Sequence, residues 1–78
     1  MTHIYLYSLV CETLIHPDIG QYISYGIKVA ISGSASTVAY VSDVSAIESK
    51  VSELVAMCNK LKLSPCHLMD VIEDFLAD

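Results

Sequence analysis

A chain of 78 residues that is 54% hydrophobic and 17% charged excludes a disordered segment. It makes one domain with a thin core, since a domain this small hides only about 60% of the surface its unfolded chain exposes. Nine acidic against four basic residues leave a formal charge of −5, with lysines at 28, 50, 60 and 62 in no run and arginine absent, which excludes direct binding to a phosphate backbone.

The opening MTHIYLYSLVCETLI lacks the basic region of a signal peptide, and nothing in the chain approaches the roughly 20 apolar residues of a membrane span. An odd set of cysteines, at positions 11, 58 and 66, makes no disulfide framework and points to free thiols in a reducing cytoplasm. So little polar surface is available that part of the apolar surface is expected to meet a partner, most simply a second copy of the chain.

Residues 2–15 predict a first strand, with Ile4, Leu6, Val10 and Leu14 on one face and Tyr5, Tyr7, Leu9 and Cys11 on the other. Neither face is polar, which predicts a strand covered on both sides, either central in the sheet or shared across a dimer. HPDIG, His16 to Gly20, reads as a hairpin turn: Pro17 fixes φ, Asp18 bonds local backbone and Gly20 takes a left-handed conformation. The second strand, about 22–32, alternates Ile23, Tyr25, Ile27, Val29 and Ile31 with Tyr22, Ser24, Gly26, Lys28 and Ala30. Gly26, on the more polar face, marks a bulge or a close approach by a neighbour. SGSAS then turns the chain into a short third strand, about 37–43.

At Ser45 the period changes from two to about 3.6. Ser45 and Glu48 have the spacing of a capping box and predict a helix over about 46–61, with Ile47, Val51, Leu54, Val55, Cys58 and Leu61 as its apolar stripe. Ser64 and Pro65 predict a second start, a capping hydroxyl followed by a proline in the first turn. That helix, about 65–77, carries Leu68, Ile72, Phe75 and Leu76 inward and Asp70, Glu73, Asp74 and Asp78 outward. The expected fold is α+β: a three-stranded antiparallel β-sheet followed by two α-helices packed on one face, β-β-β-α-α, as a single domain over 1–78.

Chemistry is weakly signalled. Cys58, Cys66, His67 and Asp70 are the candidate zinc ligands, but adjacent helical residues diverge by about 100°, so Cys66 and His67 do not grip one ion. The same divergence separates a Cys66 nucleophile from a His67 base oriented by Asp70. No catalytic residue, metal or cofactor is therefore expected. His3 and His16 read as surface groups.

Tyr5, Tyr7 and Tyr22 are candidate interface residues, since tyrosine suits surfaces that are part apolar and part wet. Asp70, Glu73 and Asp74 form a second candidate surface, an unbalanced acidic strip suited to a basic partner.

The segment CNKLKLSPCHLMDVIEDFL, together with YGIKV at 25–29 and VSDVS at 41–45, resembles an uncharacterised domain-of-unknown-function family of small cytosolic proteins from Gram-positive anaerobic bacteria. Asn59, Ser64, Pro65, His67, Leu68, Glu73, Asp74 and Phe75 carry the most distinctive part of the likeness. It implies a small cytosolic accessory protein and supplies no catalytic residue. Asn59 and His67 are expected to bond across the connection between the helices.

The functional expectation is a non-enzymatic, homodimeric protein-interaction module that binds neither nucleic acid nor membrane. The alternatives are an acidic inhibitor of a basic nucleic-acid-binding protein, of phage or mobile-element type, and a thiol redox sensor or enzyme using Cys66.

Overall fold

The computed structural model describes residues 4–33 and 36–77. Its elements are β1 (Tyr5–His16), β2 (Gly20–Ile31), β3 (Thr37–Ser45), α1 (Glu48–Leu61) and α2 (Leu68–Ala77), the last preceded by a single 3-10 turn over Pro65–His67. Three antiparallel strands in the order β1-β2-β3 are followed by two helices, the α+β layout that the change of period predicts. The expected strand residues 2 and 3, the surface position of His3, and Asp78 lie outside the described residues, as do Ser34 and Ala35 of the second turn.

β1 and β2 pair without interruption from Tyr5 opposite Ile31 to His16 opposite Gly20. The turn between them uses the residues expected of it, with Gly20 at φ 77. The local bond differs: the Asp18 N–H donates to Nδ1 of His16 at 3.1 Å, so the imidazole takes the role assigned to the aspartate side chain.

β2 is the central strand and β1 lies at an edge, which removes the central option for β1. Nor is β1 covered on both sides. Tyr5, Tyr7 and Leu9 face the core, whereas Leu6 is 51% exposed on the opposite, open face. An apolar run with no polar face reads the same in a strand buried twice and in a strand with a greasy outer face.

The core is small. Tyr7, Ile27 and Val29 of the sheet meet Val51, Leu54 and Cys58 of α1, with Val44 at one side and Leu68 and Ile72 of α2 at the other. Burying Leu54 completely contributes about 1.5–3 kcal/mol. Expected stripe members Ile47 and Leu61, at the two ends of the stripe, are more than half exposed, whereas Val51, Leu54 and Cys58 between them are buried.

β3 is irregular. It advances from Val41 to Ser45 while β2 advances only from Ile27 to Tyr25, and Asp43 sits within that bulge at φ 55. The extra length turns Val44 into the core and carries Ser45 into the ladder opposite Tyr25. The capping box therefore does not form. Ile47 holds the cap position of α1 without a side-chain cap bond, and the Ser45 hydroxyl instead accepts the Ile47 N–H at 3.1 Å.

At the other end of α1, Lys62 adopts the left-handed conformation at φ 51. Its N–H donates to the Asn59 carbonyl at 3.3 Å while Leu63 N–H donates to Cys58 O at 3.0 Å, the paired bonds of a Schellman stop. Pro65 then opens the next turn as expected, with Ser64 at the cap position. The Ser64 hydroxyl makes no cap bond, however. It lies 3.3 Å from Cys66 Sγ, and the turn is closed by His67 N–H donating to Ser64 O at 3.0 Å.

Candidate functional site: the open edge of strand β1

α1 ends beside the edge of β1, and there Asn59 does what a neighbouring strand would do. Its Oδ1 accepts the Tyr7 N–H at 2.8 Å and its Nδ2 donates to the Tyr7 carbonyl at 2.9 Å. The primary amide is an isostere of the peptide group, so one side chain satisfies both outward groups of one strand residue. This corrects the expectation that Asn59 bonds within the connection between the helices. The Tyr7 hydroxyl donates to Leu63 O at 2.7 Å, fastening the same place a second time. Burial, reinforced by Cys58, Tyr5 and Cys66 nearby, pushes the Tyr7 phenol from 10.0 up to about 12.

Because both backbone groups of Tyr7 point away from β2, strand alternation points those of Leu9, Cys11, Thr13 and Ile15 the same way. No second Asn59 serves them: along this part of the edge, no backbone partner is found among the described residues. α1 begins near Tyr25, level with Cys11, and beyond that level the hairpin runs on past it in a molecule 47 Å long and 18 Å thick. On the overhang Ile15, Ile19 and Ile23 are 81%, 68% and 55% exposed. An unpaired edge beside exposed isoleucines is a template for another strand.

On the open face, behind this edge, the β3 bulge builds a polar cluster. Ser42 Oγ donates to Glu12 Oε2 at 2.6 Å, and the Asp43 N–H reaches Oε1 at 3.4 Å. Ser24, fully buried, donates to Asp43 Oδ1 at 2.5 Å, and the Tyr22 hydroxyl donates to Oδ2 at 3.0 Å. The Glu12 carboxyl is held below its ordinary range, first by the Ser42 hydroxyl and also by Tyr40 and the Asp43 N–H. Tyr22 and Tyr40 are raised, chiefly by their bonds to Asp43 and Glu12 respectively. Gly26 makes this possible: a Cβ there would collide with Glu12 Oε1 and come within 2.6 Å of Val41 O. The cluster satisfies itself, its donors matched to its carboxylates, and locks the bulge.

The residues singled out in the sequence are scattered. Tyr7 is 4% exposed and belongs to the core, so it is no interface residue. Its place in the alternating pattern is on the helix side of the sheet. Tyr5 packs against the same core, half-buried, and Tyr22 alone of the three lies on the open face. Asp70, Glu73 and Asp74 are exposed on α2, with Asp74 lining a shallow cleft of about 470 Å³ between the helices beside Met57, Val71, Phe75 and Ala77.

Cys58 is buried and its thiol is raised by that burial, whereas Cys66 is exposed with Ser64 as its hydrogen-bonding neighbour. Among the described residues no group of three or more His, Cys, Asp or Glu is placed to hold a metal ion. Among the described residues no helix is long and apolar enough to cross a membrane.

Two features are absent from the periodic pattern of the sequence: the Tyr7 partner of Asn59 and the polar cluster around Glu12. Gly26, which pairs with Val10 one step diagonal to Glu12, together with an aspartate in a short strand of small residues, is the signal in the sequence that marks the cluster.

Fold and edge together define a minimal α+β domain, a three-stranded antiparallel sheet followed by two helices, with the long edge of β1 only partly covered. A family model described as a family of unknown function, DUF6514, matches residues 1–78; the chain belongs to this family. Comparison with curated proteins and with solved structures gave no match.

Proposed function

We propose that this protein is a non-enzymatic interaction module that works as a homodimer in the bacterial cytoplasm, with the open part of the β1 edge as its contact. The observation that carries the reading is the contrast along one strand: Tyr7 is covered by Asn59, and Leu9 to Ile15 are not. An open edge of this length with apolar flanks is a liability in a monomer, and covering it with a second chain removes the liability. Three unpaired cysteines support a reducing compartment, and the resemblance noted above points to Gram-positive anaerobes.

Sedimentation equilibrium on reduced, metal-free protein tests the proposal. A dimer at micromolar concentration is the expected result, and a monomer persisting at high micromolar concentration contradicts it. A parallel cell with zinc separates metal-driven assembly, which would restore Cys58, Cys66 and His67 as ligands.

The exposure of Asp70, Glu73 and Asp74 on α2 supports a second reading, an acidic surface that competes with nucleic acid for a basic protein. Reversing all three to lysine abolishes capture of such a partner and leaves edge-mediated dimerisation intact.

A further inference from the structure

We infer that the second copy joins β1 in one antiparallel register, its two-fold axis beside Glu12, pairing Leu9 with Ile15 and Cys11 with Thr13 of the other chain. The inference rests on the homodimer reading and gives it a geometry.

In a two-fold antiparallel pair, hydrogen bonds join residues whose backbone groups point outward on both chains. Asn59 withdraws Tyr7 from that set at one end. At the other end the strand closes at His16, and Pro17 has no N–H to offer. What remains is Leu9, Cys11, Thr13 and Ile15, and only one register matches this set completely to itself. With the axis at Cys11, Ile15 would need Tyr7, which Asn59 already holds. With the axis at Thr13, Leu9 would face Pro17 in the turn. With the axis beside Glu12, the occupied Tyr7 falls opposite Pro17, so the blocked position and the donorless one coincide.

The side chains agree with this register. On the helix side, the overhanging Ile15 meets Leu9 of the second copy, and Cys11 meets Thr13. On the open face, Glu12 falls opposite itself in a non-hydrogen-bonded pair, with Cα atoms about 4.5 Å apart, where like charges repel. Its carboxylate does not occupy that space. It is drawn over Gly26 toward Ser42 and the Asp43 N–H, so the β3 bulge clears the axis of charge.

Isotope-filtered NMR on a mixture of ¹³C-labelled and unlabelled wild-type protein reads the register directly. The expected result is an intermolecular cross-peak between the Hα of Val10 and the Hα of Leu14, which face one another across a non-hydrogen-bonded pair. A Val10–Glu12 peak, from an axis at Cys11, or a Glu12–Leu14 peak, from an axis at Thr13, overturns the inference. A dimer with no intermolecular contact along β1 also overturns it while leaving self-association standing. A protein that stays monomeric overturns both.

Discussion

Replacing Asn59 with alanine removes one amide and, with it, both bonds that tie the end of α1 to β1, at 2.8 and 2.9 Å. Net values of about 0.5–1.5 kcal/mol per bond give a loss of about 1–3 kcal/mol. Two corrections act in opposite senses. Alanine favours a helix over asparagine by about 0.5 kcal/mol, whereas the Tyr7 groups, part-buried in the native state, regain only part of their bonding from water. A net loss of about 1–2 kcal/mol remains, a sizeable share of the roughly 4–12 kcal/mol available to a domain of this length.

Urea unfolding followed by circular dichroism measures this loss, at one fixed protein concentration because association adds to apparent stability. The midpoint falls with an unchanged slope. Asn59→Asp is at least as damaging, since a carboxylate accepts the Tyr7 N–H but repels the Tyr7 carbonyl. A change below about 0.3 kcal/mol in the alanine variant refutes the argument that the amide acts as a substitute strand.

Lys62→Gly relieves a left-handed lysine at φ 51 and is expected to stabilise by about 0.5–1 kcal/mol, read in the same urea assay. Gly26→Ala forces a methyl group onto the Glu12 carboxylate and the Val41 carbonyl. The expected cost is about 1–3 kcal/mol, with loss of the Ser42 and Asp43 bonds visible as chemical-shift changes in the β3 bulge.

Tyr7 makes stability fall at high pH. Its phenol ionises at 10.0 when unfolded and at about 12 when folded, so the raised value favours the folded, neutral form. That contribution, about 3 kcal/mol by the usual conversion, is fully present below pH 10 and is lost as pH rises through 12. Urea titrations at stepped pH show a shallower loss in Tyr7→Phe than in the wild type.

The layout was legible because each element carries its own period: alternation in β2, steps of three and four in α1 and α2, and glycine and proline at Gly20 and Pro65. Edge position was not legible in β1, since an apolar run is compatible with either a central or an edge place, and only the order of strands in space decides. The Ser45–Glu48 capping box does not form because the β3 bulge consumes residues that local spacing assigns to a helix start: Ser45 is drawn into the sheet opposite Tyr25. The candidate edge depends on Asn59 meeting Tyr7, 52 positions away, and no local pattern encodes a contact of that range.

Thr13→Pro tests the central claim most directly. Proline there removes one outward N–H and no bond to β2, a substitution that edge strands tolerate, so circular dichroism should show an intact fold. Sedimentation equilibrium of this variant beside the wild type is then expected to show a monomer beside a dimer. A folded Thr13→Pro protein that dimerises as tightly as the wild type would show that the β1 edge is not what joins the two chains.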